Sequence, residues 1–103
     1  MKAQQAYDEL AASLAPRGVK ASQMFGMPTL KNVNGKAFAG LRGETVTFRL
    51  VAGTPEHAEA LKLPGAEPFD PGMGRPMKDW VQVPAKHAKH FPRFADASLT
   101  RLG

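Results

Sequence analysis

The sequence lacks cysteine and long apolar runs, and these two absences exclude several classes of protein. Without cysteine, the 103-residue chain forms no disulfide, offers no thiolate zinc site and has no cysteine nucleophile. No apolar run approaches the ~18 residues that a membrane-spanning helix needs. The first residues, Met1-Lys2-Ala3-Gln4-Gln5, lack the apolar stretch of a signal peptide. We therefore expect a cytoplasmic protein.

Acidic residues are scarce relative to basic ones. Nine Asp and Glu stand against 14 Lys and Arg, which gives a net charge of +5 and a pI near 9.9. This balance is compatible with an anionic partner but does not by itself establish one. The length fits a single domain spanning residues 1–103, and the content of hydrophobic and charged residues (43% and 22%) is typical of globular proteins.

Helical signals occur at both ends of the chain and near its middle. Residues 3–15 carry apolar side chains at three- and four-residue steps, which predicts a helix. Thr54-Pro55-Glu56 is a typical helix start, with a capping threonine and proline in the first turn. Residues 85–102 predict another helix with a break at Pro92, whereas the proline- and glycine-rich segment 64–76 predicts a loop.

The segment between the first two helices predicts an antiparallel meander. Asn34-Gly35 favours a two-residue type I′ turn that sets Lys31 opposite Phe38. Gly43-Glu44 favours a second turn, which leads into the alternating strand Thr45–Leu50. A further strand is predicted at residues 79–83.

The two turns together divide the meander into two faces. The predicted core face carries Leu30, Ala37, Ala39, Leu41, Val46, Phe48 and Leu50. The opposite, outer face carries Lys31, Val33, Lys36, Phe38, Arg42, Thr45, Thr47 and Arg49. We therefore predict an α+β domain, with an antiparallel sheet that packs against N-terminal, central and C-terminal helices.

Several motifs between residues 24 and 84 resemble the N-terminal domain of the TfoX (Sxy) competence regulators. They are Met24-Phe25-Gly26, Asn34-Gly35-Lys36 followed by Phe38, Val83-Pro84, and the ten-residue segment Pro71-Gly72-Met73-Gly74-Arg75-Pro76-Met77-Lys78-Asp79-Trp80. The resemblance covers nearly the whole chain and implies an α+β domain with a bacterial regulatory or interaction role. It supplies no catalytic residues.

The outer face is the most informative candidate site. Lys31, Lys36, Arg42 and Arg49 surround Phe38, an arrangement in which cations would hold a nucleic-acid backbone while the ring stacks on a base. Two other interpretations stay open. The cations and the ring form an ordinary solvated face, or Val33 and Phe38 form a homodimer contact.

The glycine-rich loop suggests a second candidate site. A cleft near Arg75 and Trp80 would suit a small ligand or a substrate, although Gly72-Met73-Gly74-Arg75 is followed by a strand and has no Walker lysine. Its simpler interpretation is a structural loop that positions Trp80.

The sequence predicts no metal site and no cofactor. His87 and His90 share a helical spacing, but lysines flank them and a metal ion needs further ligands. The sequence therefore favours a non-enzymatic regulatory or interaction module that binds nucleic acid or a protein, with a ligand-binding protein or an enzyme as the alternative.

Overall fold

The chain folds into a six-stranded antiparallel sheet with three helices on one face. The computed structural model describes residues 2–24, 26–70, 74 and 77–102. The strands are β1 (Lys20–Met24), β2 (Met27–Lys31), β3 (Ala37–Arg42), β4 (Thr45–Arg49), β5 (Glu67–Phe69) and β6 (Met77–Pro84). The helices are α1 (Ala3–Leu14), α2 (Pro55–Leu61) and α3 (Phe91–Leu102), with 3₁₀ helices at Ala15–Arg17 and Ala85–His90.

The strand order is β1-β2-β3-β4-β6-β5, and every neighbouring pair is antiparallel. The predicted α+β class is therefore confirmed, together with helices near the N-terminus, the middle and the C-terminus. Within the described part of the chain, no helix is both long enough and apolar enough to cross a membrane.

The helices begin and end where their local chemistry predicts. The apolar stripe of α1 is buried against the sheet. At α2, the Thr54 hydroxyl accepts a hydrogen bond from the His57 amide at 3.3 Å, and Pro55 occupies the first turn. A hydroxyl cap satisfies one of the amides that the first turn leaves unpaired. In the C-terminal segment the 3₁₀ helix passes into α3 at Phe91, one residue before the predicted break.

Phenylalanine packing fixes α3 on the sheet. The ring of Phe48 on β4 lies 5.2 Å from that of Phe91 and 5.8 Å from that of Phe94, measured between centroids. All three side chains are buried. The Ser98 hydroxyl donates a 2.5 Å hydrogen bond to the backbone carbonyl of Arg49, so α3 is joined to β4 by a polar contact as well.

The β2–β3 loop differs from the predicted turn by one residue. The Asn32 amide donates to the Lys36 carbonyl at 2.8 Å, and the Gly35 amide donates to the Asn32 carbonyl at 2.9 Å. The loop therefore contains three residues, Val33, Asn34 and Gly35, with Gly35 at a φ of 80°. The Asn32 carboxamide oxygen favours this longer loop because it accepts hydrogen bonds from the Asn34 and Lys36 amides.

A β-bulge on β3 restores the register that the longer loop would have shifted. Leu30 lies opposite Ala39 and Lys31 lies opposite Ala37, so Phe38 is an extra residue on β3. The predicted pairing of Lys31 with Phe38 is wrong. Beyond the bulge Leu30 lies opposite Ala39, because the extra loop residue on the β2 side is matched by the extra bulge residue on β3. The predicted pairing of Ala39 with Phe48 also holds, since the two-residue turn between β3 and β4 sets it.

The bulge also reverses two predicted side-chain positions. Phe38 is fully buried in the main core beneath the helices, so its predicted place on the outer face is wrong. Ala37, predicted for the core, packs instead on the outer face. The other members of the predicted core face, from Leu30 to Leu50, are buried in the main core.

A second, smaller hydrophobic cluster covers part of the outer face. Its buried members are Met27, Phe69 and Trp80, with Ala37 and Met77 packed against them. Thr47, predicted to face solvent, is fully buried on this side. Gly40 allows the close packing, because a Cβ there would lie 2.6 Å from the Met27 Cε.

Two strands were not predicted. β1 forms an edge of the sheet beside β2, and β5 lies inside the segment 64–76 that its composition assigns to a loop. A proline-rich segment can still supply an edge strand, since an edge residue needs no ladder hydrogen bond on its free side. Of the predicted loop, residues 71–73 and 75–76 lie outside the described residues.

Ion pairs join α2 to α3. The Arg93 guanidinium donates to both carboxylate oxygens of Glu59, at 2.7 and 3.0 Å. Arg101 donates to Glu56, whose carboxylate is mostly buried. This hydrogen bond holds the pKa of Glu56 below its ordinary value of 4.5, since it stabilises the charged form.

We expect Phe38→Ala to lower the free energy of unfolding by about 3–5 kcal/mol, the usual cost of removing a buried ring. Urea unfolding would measure the change. As a control, Val33→Ala shortens a side chain that is 72% exposed and should change stability by less than about 0.5 kcal/mol. Equal, small effects of the two substitutions would contradict the buried position of Phe38.

We expect Glu56→Gln to destabilise the fold at neutral pH but much less in acid. The lowered pKa means that Glu56 stabilises the fold above its unfolded-state pKa, and that this contribution is lost as the pH falls through the folded-state pKa. Unfolding curves for both proteins between pH 7 and pH 3 would measure the difference. A constant difference across that range would contradict the ion pair, and Glu67→Gln, at an exposed residue of β5, serves as control.

Candidate anion-binding surface

Five cationic residues cross one end of the outer face, and we call them the basic row. Its members are Lys20, Lys31, Lys36, Arg49 and Lys78. Lys20 of β1 lies opposite Lys31 of β2, and Lys31 lies opposite Ala37 of β3. Residues directly opposite one another on neighbouring strands share a face. Arg49 of β4 lies opposite Trp80 of β6, so the row runs across the sheet from its β1 edge to β6.

Three members of the row line one depression. Lys36, Arg49 and Lys78 surround a volume of about 480 Å³. The other residues that line it are Ala37, Met77, Asp79 and Trp80. Its lining thus combines three apolar side chains with three cations, while Asp79 adds a single negative charge.

Asp79 is already engaged by the backbone. Its carboxylate accepts a 2.9 Å hydrogen bond from the Ala52 amide, which holds the segment after β4 against β6. The backbone carbonyl of Arg49 is likewise fixed by Ser98. The strands beneath the cations are therefore well anchored, although the long cationic side chains extend towards solvent.

The cations of the basic row make no ion pairs among the described residues. The three ion pairs of that part of the chain join Arg17 to Asp96, Arg93 to Glu59 and Arg101 to Glu56, and all involve residues of helices. Acidic side chains therefore neutralise cations on the helices. The cations of the basic row have no acidic partner among the described residues and can interact with an external anion. A local positive potential results at one end of the sheet.

The predicted aromatic part of this site is not accessible. Phe38 is buried on the opposite face of the sheet, so the base-stacking role predicted for it is wrong. Trp80 is 7% exposed, and its ring lies 6.4 Å from that of Phe69 inside the second cluster. Among the residues that the structure describes, the outer face therefore presents charge without a free aromatic ring.

The predicted cations do not all lie together. Lys31, Lys36 and Arg49 belong to the basic row, but Arg42 lies at the far end of β3 opposite Thr45. Arg49 lies four residue steps from Thr45 along β4, which is about 14 Å of strand. The Arg42 guanidinium lies 5.4 Å from the centre of the Phe69 ring, a cation–π contact.

The predicted ligand cleft has only partial support. Trp80 borders the basic depression, but most of its ring is packed in the second cluster. Arg75 lies outside the described residues, as does most of the glycine-rich motif. The simpler prediction, that this loop positions Trp80, falls on the same residues and stays a prediction.

The histidines lie among structural contacts. The His87 ring is hydrogen-bonded to the Pro64 carbonyl at 2.8 Å, and His90 stacks on Phe94 at 6.1 Å between centroids. In the described ranges, no group of three or more His, Asp or Glu residues is placed to hold a metal ion.

Sequence reasoning missed Lys20 and Lys78 as members of the row. Lys20 lies on the strand that was not predicted, so nothing placed it beside Lys31. Lys78 lies one residue before the strand predicted at 79–83; the observed strand begins at Met77, which places Lys78 two residues before Trp80 and on the same face.

Comparison with protein-family models, with curated proteins and with solved structures finds no match for this chain. The resemblance to the TfoX N-terminal domain rests on sequence motifs and stays a prediction.

We expect the fluorescence of Trp80, the single tryptophan, to report a buried indole. Its emission should shift to longer wavelength on unfolding, and iodide should quench the folded protein much less than the unfolded one. A folded-state emission typical of exposed tryptophan would contradict the packing of Trp80 against Phe69. Phe69→Leu, which removes the neighbouring ring, should increase the quenching and serves as the matched comparison.

Proposed function

We propose that this chain is a non-catalytic binding domain that contacts the phosphate backbone of nucleic acid through the basic row. The observation that carries the proposal is the arrangement of five cations without ion-pair partners among the described residues, on one end of one sheet face. A regulatory role, which the resemblance to the TfoX N-terminal domain implies, fits a domain of this kind.

The dimensions of the basic row suit a polyanion. Four strand spacings of about 4.8 Å separate β1 from β6, so the row extends over ~19 Å. One strand of duplex DNA carries a phosphate every 3.4 Å of helix axis, so about five phosphates would face the row. A single small anion would use the depression at Lys36, Arg49 and Lys78 and leave the two lysines nearer the β1 edge unused.

The buried aromatics favour backbone contacts over base contacts. Base stacking needs an exposed ring, and both candidate rings, Phe38 and Trp80, are buried. Phosphate contacts position a protein on nucleic acid but carry no sequence information directly. We therefore expect binding with little sequence preference and a strong dependence on salt.

The alternative function, a small-ligand-binding protein or an enzyme near Arg75 and Trp80, has weaker support. The depression beside Trp80 is lined by three cations and a carboxylate that already bonds the Ala52 amide. It thus suits attraction of negative charge better than enclosure of an apolar ligand.

We expect a fluorescently labelled 20-base-pair duplex to bind with an affinity that falls steeply as salt increases. With five phosphate contacts, log K against log salt should have a slope of about −4.5, at about 0.9 per contact. Fluorescence anisotropy between 50 and 200 mM salt would measure it. A single-stranded oligonucleotide should give a shallower slope, of about 0.7 per contact.

The double variant Lys36→Glu/Lys78→Glu should weaken binding at least tenfold. Its matched control, Lys62→Glu/Lys86→Glu, makes the same change in net charge at exposed residues outside the row, and should retain most of the affinity. Equal losses in both variants, or no binding at 50 mM salt, would refute the proposal. Binding of polyglutamate in preference to both nucleic acids would refute it in favour of an acidic protein partner.

A further inference from the structure

The two edges of the sheet differ in how they are protected against further strands. β5, at one edge, has three residues, contains Pro68 and is interrupted by a register shift at Pro68/Phe69. Short length, proline and bulges are the usual means by which natural edges avoid pairing. β1, at the other edge, has five residues without proline and pairs with β2 in an unbroken register from Lys20 to Met24.

The hydrogen-bond pattern shows which groups of β1 face outward. The Asn32 amide donates towards β3, and successive residues of a strand bond to alternate sides. Thr29 and Lys31 therefore bond towards β1, where their partners are Ser22 and Lys20. It follows that Ala21 and Gln23 direct their amides and carbonyls away from β2, to the open edge.

These outward groups are complementary to those of a second copy. When two β1 strands pair antiparallel with Ser22 at the centre, Ala21 of each chain lies opposite Gln23 of the other. This pair occurs twice because a two-fold axis relates the two chains. Each such pair of residues exchanges two backbone hydrogen bonds, so the two strands form four backbone hydrogen bonds with each other. This register places a residue opposite each of the five residues of β1, and no other register does so.

The side chains along this edge are compatible with that register. Ala21 is small and exposed, and Gln23 is also exposed. Lys20, the one charged residue of β1, would lie opposite Met24 of the second copy, so the two lysines are not forced together. Val33, which is 72% exposed, lies close to Gly18, two residues before β1, so that an apolar side chain is available where a neighbouring strand would pass.

We propose that two copies of this chain pair along β1 into a continuous twelve-stranded antiparallel sheet. A two-fold axis perpendicular to the sheet keeps both outer faces on the same side, so the two basic rows become parts of one surface. Dimerisation requires no nucleic acid and therefore does not depend on the proposed function, although it would double the cations available to a polyanion.

The oligomeric state of the purified chain tests this proposal. Light scattering coupled to gel filtration, in 200 mM salt without nucleic acid, should give a mass that rises with concentration towards twice 11.1 kDa. Ala21→Pro removes one outward amide while leaving the bonds to β2, so it should keep the protein monomeric over the same range. Ala21→Thr retains the amide and should still form the dimer.

Amide hydrogen exchange of the wild-type chain provides a second readout that does not depend on a variant. The amides of Ala21 and Gln23 should exchange at least tenfold more slowly at high protein concentration than at low, while those of Ser22 should change little. A mass that stays at 11.1 kDa at millimolar concentration would overturn the proposal. So would a dimer in which Ala21→Pro associates as well as Ala21→Thr, or in which exchange at Ala21 and Gln23 is independent of concentration.

Discussion

The bulge at Phe38 is the feature on which both faces of the sheet depend. The loop at Asn34-Gly35 contains one residue more than a two-residue turn, and this residue alone would have shifted every later pair of β2 and β3 by one. A shift of one residue exchanges the two faces of a strand. The bulge cancels the shift, so Ala39 and Leu41 remain beneath the helices while Phe38 joins them.

The same bulge accounts for the second hydrophobic cluster. With Phe38 turned into the main core, Ala37 faces outward, and its small side chain leaves room for Trp80 and Met77 to pack beside it. Gly40 does the same further along β3, where a Cβ would collide with Met27. Two small residues on β3 thus allow apolar side chains from β2, β5 and β6 to meet across it.

Much of the fold could be predicted because it depends on local patterns. The stripe of α1, the Thr54 cap, the turn at Gly43-Glu44 and the alternation of β4 each follow from neighbouring residues, and the structure confirms them. The position of Phe38 could not be predicted in this way. Alternation along β3 assigns Phe38 to the face opposite that of Ala39. The bulge reverses this assignment, and it depends on the Asn32 side chain, which favours the longer loop, and on packing against residues far along the chain.

The candidate site was predicted in part for the same reason. Lys31 and Arg49 were assigned to one face by strand alternation, and that assignment survives because the bulge lies on β3 and leaves β2 and β4 regular. Lys36, which precedes β3, was assigned to the same face and borders the depression there. Arg42 shares the face but lies at the other end of it, packed on Phe69. Strand alternation in the sequence specifies the face of the sheet on which a side chain lies. How far along that face it lies from side chains of other strands depends on the full topology.

The location of the basic row follows from what the second cluster leaves uncovered. Met27, Phe69 and Trp80 bury part of the outer face, and the row lies beside them, with Arg49 opposite Trp80 on the neighbouring strand. On the helix side, acids neutralise Arg17, Arg93 and Arg101. Since the N-terminal half of the chain has only three acids, Asp8, Glu9 and Glu44, its excess positive charge remains unbalanced on the sheet. The asymmetry of the surface therefore follows the sequence, because the α- and 3₁₀ helices together carry equal numbers of acids and bases, whereas the strands carry five cations and only two acids, Glu67 and Asp79.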